Sequence, residues 1–314
     1  MKLGIYLFSQ SNFNPNKKFD TLIERAKFYD TLGLDSLWIS DGLTSNPDPS
    51  EYPHYETMSL ISSLSQHTKN ITFGTLASPH NIRSASLYSK MILSLDHFTK
   101  GRIIAGIGVG NPNQTGNRSG VKELSLKVRM EEFENYIKTL KTLFKGETVT
   151  NENLGIFDYR PNPLPYSKGG PKILIAGAGE RKTLQQVAKY ADMSNIWGSN
   201  ENLSNKLQVL ANWCDKIGRN FSEIENTTMR AIVTGNTKEE IDQDIRWYMN
   251  RMTELGRPQP SLEEFKRDRF VGTIDEVVDQ IRIVKDIGIS HLIFTINTDK
   301  TRKAISAVFE KLNT

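Results

Sequence analysis

Ile173-Leu174-Ile175-Ala176-Gly177-Ala178-Gly179-Glu180-Arg181-Lys182-Thr183-Leu184 is the stretch on which the fold turns. A short aliphatic run, too brief for a helix, ends at two glycines, and helical spacing begins at once. Such a strand–turn–helix unit delivers the next strand parallel to the first, because the helix carries the chain back to the same end of the sheet. The same unit recurs on both sides. Toward the N-terminus, Leu3–Phe8 reads as a strand before a helix over Phe19–Leu32, which stops at Gly33. Strands over Ser36–Ser40, Asn70–Leu76 and Arg102–Ile107 precede helices near Tyr55–His67, Ala85–Phe98 and Val128–Phe144. Toward the C-terminus, strands at Met193–Trp197, around Thr228–Val233 and at His291–Ile296 precede helices near Leu203–Ile217, Ile274–Ile287 and Thr301–Leu312. Eight strands, each followed by a helix, define an α/β chain and predict an eight-stranded parallel (β/α)8 barrel of the TIM type. A doubly wound open sheet needs about six strands and leaves two unexplained. Irregular stretches at about 110–170 and 235–270 are expected as insertions after strands four and seven, within a single domain over 1–314.

Composition narrows the function. The chain of 314 residues is 37% hydrophobic and 24% charged, which excludes a disordered chain, a collagen-like fibre and a disulfide scaffold. A single cysteine, Cys214, forms neither an internal disulfide nor a cysteine zinc site, so a reducing cytoplasm is the expected compartment. No apolar run reaches the roughly 20 residues of a membrane span, and Ser9-Gln10-Ser11-Asn12 offers no small-residue cleavage site. A net charge of +4 without a dense Lys/Arg block argues against nucleic acid as a partner.

Barrels of this kind react at the C-terminal ends of their strands. The stations there include Ser40-Asp41-Gly42, Thr75-Leu76-Ala77-Ser78-Pro79-His80, Gly108-Val109-Gly110-Asn111, Gly177-Ala178-Gly179-Glu180-Arg181 and Asn195-Ile196-Trp197-Gly198. Both insertions leave from this face and are expected to wall or roof it. The 177–181 turn opens a helix, so its backbone N–H groups and the positive helix end make an anion site, to which Arg181 and Lys182 add charge. A tight turn that needs glycine only for its geometry explains the same residues. Gly106-Ile107-Gly108-Val109-Gly110 lacks the third glycine and the helix of a dinucleotide fingerprint. It reads better as a strand end whose backbone approaches a flat ligand. His67, His97 and His291 fall at helix ends or a strand start, where structural roles are expected, whereas His54 and His80 fall in loops on the reactive face as candidate proton donors. No metal-ligand spacing, nucleophile elbow or Cys–His pairing is present, so a cofactor is expected to carry the chemistry.

Several blocks resemble the bacterial luciferase-like superfamily: Asn70–Thr75, Leu95–Gly110, Pro171–Gly179, Val187–Asn195 and Val271–Val277. They occur in the superfamily's order and extend over nearly the whole chain. The resemblance implies an eight-stranded α/β barrel and, from Gly101-Arg102 and Ala176–Arg181, the branch that uses the deazaflavin coenzyme F420 as hydride carrier. The alternative it leaves is an FMN-dependent monooxygenase served by a flavin reductase, and a third is a non-catalytic flavin-binding relative. It further implies that Gly177, Ala178, Gly179, Glu180 and Arg181 hold the cofactor phosphate, that Asp41, Thr75, Ala77, Val109 and Gly110 line the ring, and that a cis peptide falls near Leu76-Ala77-Ser78. A small-molecule substrate and a homodimer are implied as well. Two departures stand out. This chain has Asp41-Gly42 where the branch commonly has Asp-His, and Asn111 where its sugar-phosphate dehydrogenases carry an acid. Asp41, His80 and Asn111 are therefore the catalytic candidates, with Glu56 a further acid–base candidate.

Overall fold

The computed structural model describes residues 1–7, 19–43, 54–110, 120–121, 124–254, 258–295 and 299–313. Eight parallel strands close a barrel: β1 (Lys2–Leu7), β2 (Ser36–Ile39), β3 (Thr72–Thr75), β4 (Ile103–Gly108), β5 (Lys172–Ala176), β6 (Met193–Asn195), β7 (Glu225–Thr234) and β8 (His291–Thr295). Each pairs with the next, and β8 returns to β1 with His291 opposite Lys2. The expected (β/α)8 architecture is what the chain adopts. Around the barrel lie α1 (Phe19–Leu32), α2 (Thr57–Ser65), α3 (Ala85–Thr99), α4 (Leu126–Leu143), α5 (Thr183–Tyr190), α6 (Asn200–Ile217), α7 (Lys238–Glu254), α8 (Leu262–Arg267), α9 (Ile274–Asp286) and α10 (Asp299–Asn313). Ser84, Ser125, Ser199 and Thr273 cap α3, α4, α6 and α9, each side chain accepting a first-turn N–H.

Strand alternation divides the apolar residues into two cores. Ile5, Leu37, Phe73, Ile107, Ile175 and Leu292 face outward against the helices. Tyr6, Trp38, Leu76, Ile104, Leu174, Met193 and Ile293 plug the barrel from within. Gly106 is dictated by this packing, since a Cβ there would fall onto the carbonyl oxygen of Thr75. Thr75 fastens the same place, donating from Oγ1 to Gly106 O (2.7 Å) and accepting from Gly106 N (3.0 Å).

At the barrel's base, Trp38 Nε1 donates to Ser36 Oγ (2.7 Å), and that hydroxyl lies 2.7 Å from His291 Nε2. His291 Nδ1 lies 2.8 Å from Glu225 Oε1, and Lys2 Nζ reaches the same carboxylate at 2.9 Å. With Nδ1–H donating to Glu225, Nε2 accepts from Ser36, and every member of the chain is satisfied. Burial pushes the Glu225 carboxyl up, but His291 and Lys2 outweigh it and bring the pKa down to about 2. Arg102 closes the base elsewhere, donating to the carbonyls of Thr99 and Ile71 at 2.9 and 2.6 Å.

The segment between β4 and β5 is mainly lateral. Its α4 is the fourth barrel helix, followed by a small antiparallel hairpin, Val149–Asn151 with Ile156–Tyr159. The chain then docks on α3, where the buried Asp96 carboxylate accepts from Tyr166 N, Ser167 N and Ser167 Oγ at 2.6–2.8 Å. His97 Nε2 meets Leu164 O at 2.8 Å, a structural contact. Among the described residues 124–171, this side-on docking replaces the roof expected from the sequence. The segment after β7 holds two helices, α7 and α8, and an extra strand, Phe270–Gly272, parallel to the end of β7. It has its own small core of Val233, Ile245 and Phe265. This insertion reaches the mouth through the Tyr248 hydroxyl, which meets Thr295 at the end of β8, as the first insertion does through Arg129 of α4, which donates to Gly110 O.

Candidate active site

The mouth is built from the strand ends. β2 leads to Asp41, whose side chain is almost wholly buried and accepts both arms of Arg83, at 2.6 and 3.2 Å. Arg83 Nη2 also donates to Glu56 Oε1 at 2.7 Å. Glu56 caps α2 through Ser59 N, and although burial pushes its carboxyl up, these hydrogen bonds hold it below the usual range. Desolvation lowers the Arg83 pKa, but the two carboxylates outweigh that and raise it. Sequence reading missed Arg83, because nothing local marks an ion pair across 42 residues. His54 lies on the same corner, its Nε2 donating to Gly42 O at 3.1 Å.

β3 continues into a cis Leu76–Ala77 peptide, where the resemblance implied one, and then Ser78–Pro79 pairs with Ile107–Gly108. Beside it the mouth presents small residues: a Cβ on Gly108 would meet Ala77 Cβ at 3.5 Å and Ala176 O at 3.9 Å, ordinary contact without obstruction. The glycines of this strand thus divide, Gly106 serving the barrel and Gly108 leaving a flat, open wall. Gly110 follows with φ +81° beside Pro79 and Asn81. Its carbonyl accepts from Arg129 Nη1 on α4.

Other predicted residues point elsewhere. The Thr75 side chain is spent on β4, and Val109 and Ala178 pack toward the outer core, so these last two offer the mouth their backbone. His80 is 4% exposed, its ring against Phe133 (5.5 Å between centroids) and Tyr136 (5.8 Å), behind the mouth instead of in it. Burial drives its pKa down to about 4, so the imidazole is neutral at pH 7. Asn111 lies outside the described residues.

β5 runs into Gly177, whose φ of +133° demands glycine and whose N–H donates to Asn195 O at 3.0 Å. The helix begins at Thr183, later than expected, since Glu180–Lys182 form a turn and Leu184 N returns to Gly179 O. Gly177 and Gly179 are exposed, and so are Arg181 and Lys182, whose side chains carry no hydrogen bond or ion pair with described residues. Glu180 turns away: Lys206 takes its carboxylate at 2.7 Å, and Trp213 Nε1 takes its carbonyl at 2.8 Å. The arrangement offers a backbone cradle and two uncommitted cations at a helix N-terminus, beside a wall of small residues. That is a fit for a phosphorylated ligand with a flat ring.

The chain belongs to the luciferase-like monooxygenase family, whose model matches residues 1–291. That makes it an oxidoreductase of the luciferase-like class. It is 24% identical to a phthiodiolone/phenolphthiodiolone dimycocerosates ketoreductase of Mycobacterium tuberculosis, over 88% of each chain. Among solved structures it is similar to an F420-dependent secondary alcohol dehydrogenase in complex with an F420–acetone adduct, with TM-score 0.81, 15% identity, and coverage of 98% of this chain and 97% of that one. It is similar also to a riboflavin lyase holding modified FMN and riboflavin, with TM-score 0.83, 14% identity, and coverage of 100% and 91%.

Proposed function

We propose that this protein moves hydride between coenzyme F420 and a small organic substrate. The observation that carries the reading is the cradle at Gly177–Gly179 with free Arg181 and Lys182, set beside the small-residue wall of Ala77, Gly108 and Ala176. The backbone amides and the two cations would hold the phosphate, and the wall, backed by the Leu76–Ala77 corner, would support the ring. When bound, F420 supplies a two-electron hydride donor or acceptor.

The chain's own groups divide the remaining work. Asp41 is committed to Arg83 through both oxygens, so it acts as a fixed acceptor at the ring edge and not as a proton shuttle. We assign the transfer of a proton to a substrate oxygen to His54, half-buried at the Gly42 corner with its Nε2–H on the Gly42 carbonyl. His80, buried behind the mouth, keeps the strand-three corner in place. The superfamily resemblance adds a homodimer, and the single cysteine a cytoplasmic setting.

Separate fluorescence titrations with F420 and FMN test the reading. F420 is expected to bind and FMN to bind at least tenfold more weakly. Tight binding of FMN alone would transfer the protein to the monooxygenase alternative, with a reductase partner. Binding of F420 without turnover across a panel of ketones and alcohols would make it a binding protein. With F420 bound and a substrate in hand, His54→Gln should lower kcat about 10²-fold with little change in KM.

A further inference from the structure

Trp197, two residues past the end of β6, is 64% exposed, the second most exposed large hydrophobic side chain among those described. Its ring is nevertheless fixed. Nε1 donates to Oδ1 of Asn195 at 3.1 Å, and Asn195 is fully buried in the barrel. Asn195 Nδ2 donates in turn to Thr227 Oγ1 on β7 at 2.8 Å. The following corner is also held: Arg230 Nη2 donates to Gly198 O at 2.7 Å, and Ser199 caps α6 through Asn202 N. A solvated surface tryptophan needs no such tether, for water satisfies its N–H. Here a buried amide orients a large, mostly exposed flat ring on which no described residue stacks, at the reactive end of a barrel.

Its position defines what the ring meets. The cradle and small-residue wall occupy the ends of β3, β4 and β5. Asn195 borders that half directly, since its carbonyl accepts Gly177 N. Beyond Trp197 the mouth continues over β7, β8 and β1 with Met229, Ile293 and Tyr6, an apolar floor. Arg230, the nearby cation, is engaged with Gly198 and lies over the Phe270 ring at 5.4 Å. We propose that Trp197 is the specificity-determining platform of the substrate half, and that the substrate presents an uncharged aromatic or ring-shaped apolar portion which stacks on the indole. This rests on the oxidoreductase reading for the identity of the other half. Asn195 is a positioning residue, holding the platform's angle.

The test uses the intact protein, first saturated with F420 or, failing that, FMN, and then titrated calorimetrically with 2-naphthol, a neutral bicyclic probe. Wild type is expected to bind it, Trp197→Ala to bind at least tenfold more weakly, and Trp197→Phe within about threefold of wild type. Cofactor affinity should change less than twofold in both variants. Bound 2-naphthol should also shield from acrylamide the part of the tryptophan emission that Trp197→Phe removes. Equal 2-naphthol affinity in wild type and Trp197→Ala overturns the platform, as does absence of binding to loaded wild type up to the probe's solubility. A loss of cofactor affinity in Trp197→Ala that matches the loss of probe affinity also overturns it, by assigning the ring to the other half. Failure of wild type to bind either cofactor is read separately, in the first titration, and counts against the oxidoreductase reading.

Discussion

The two ends of the barrel treat polar groups in opposite ways. At the base, Trp38, Ser36, His291, Glu225 and Lys2 close on one another in a chain with no spare donor. At and just behind the mouth, both ring nitrogens of His80, Asn81 Oδ1 and Thr234 Oγ1 are buried without a hydrogen-bond partner among the described residues, the Arg181 and Lys182 side chains are uncommitted, and an indole is left exposed. A buried group without a partner is destabilising, and folds keep such groups where water or a ligand completes them. The base is therefore organised for stability and the mouth for binding, and substitutions sort the two ends by what they change.

The largest effect is expected in the shared middle. Gly106→Val drives a side chain into the Thr75 carbonyl, and should cost more than about 4 kcal/mol, read as loss of soluble folded protein. A variant melting like wild type would break the claim that this glycine serves the barrel. At the base, Glu225→Gln should cost about 1–3 kcal/mol in urea unfolding at pH 7, because His291 and Lys2 lose their charged partner. The folded pKa of Glu225 lies below its ordinary value, so its contribution is complete above pH 4.5 and disappears as pH falls toward 2. The acid limb of the variant's stability curve should be correspondingly shallower.

Behind the mouth the sign concerns a base instead of an acid. The His80 pKa falls from 6.5 to about 4 on folding, so the unfolded chain takes up a proton first, and stability is lost as pH drops between those values. His80→Phe, which keeps a ring against Phe133 and Tyr136, should shrink the difference in stability between pH 7 and pH 5 by about 2 kcal/mol. The smallest effect on folding belongs to the mouth itself. Arg181→Ala with Lys182→Ala should leave stability within about 0.5 kcal/mol while weakening cofactor binding roughly tenfold. A large loss of stability from this pair would erase the contrast between the ends.

Period and punctuation made the barrel legible. Short aliphatic runs, several of them ending at glycine and each followed by a 3.6-residue pattern, place all eight strands to within a few residues. What remained hidden depends on distance in the chain. Ser36 and His291 are 255 residues apart, and Asp41 and Arg83 are 42 apart, so neither pairing leaves a local trace. The glycine run 106–110 reads as one feature in the sequence and is two in the fold, because only the folded neighbour shows that Gly106 answers to Thr75. Helix α7 is hard to see in the sequence although Ile241, Ile245, Tyr248 and Met249 repeat at helical spacing, their signal diluted by the charges between them. Trp197 reads from sequence as a strand end on the reactive face but not as a fixed ring, since a tether through a buried amide cannot be read from its neighbours.

The segment after β7 gathers Ile241, Ile245, Tyr248 and Met249 around Phe265, which is fully buried, and meets the rest of the molecule through Val233, through Tyr248 at Thr295 and through the short Phe270–Gly272 strand. Such a piece behaves as a cassette: a graft joined near Thr234 and Phe270 would carry its own nucleus with it. Substrate range in this barrel can thus diverge by exchanging one self-contained block at the mouth, while the eight strands and the hydrogen-bonded base are inherited unchanged.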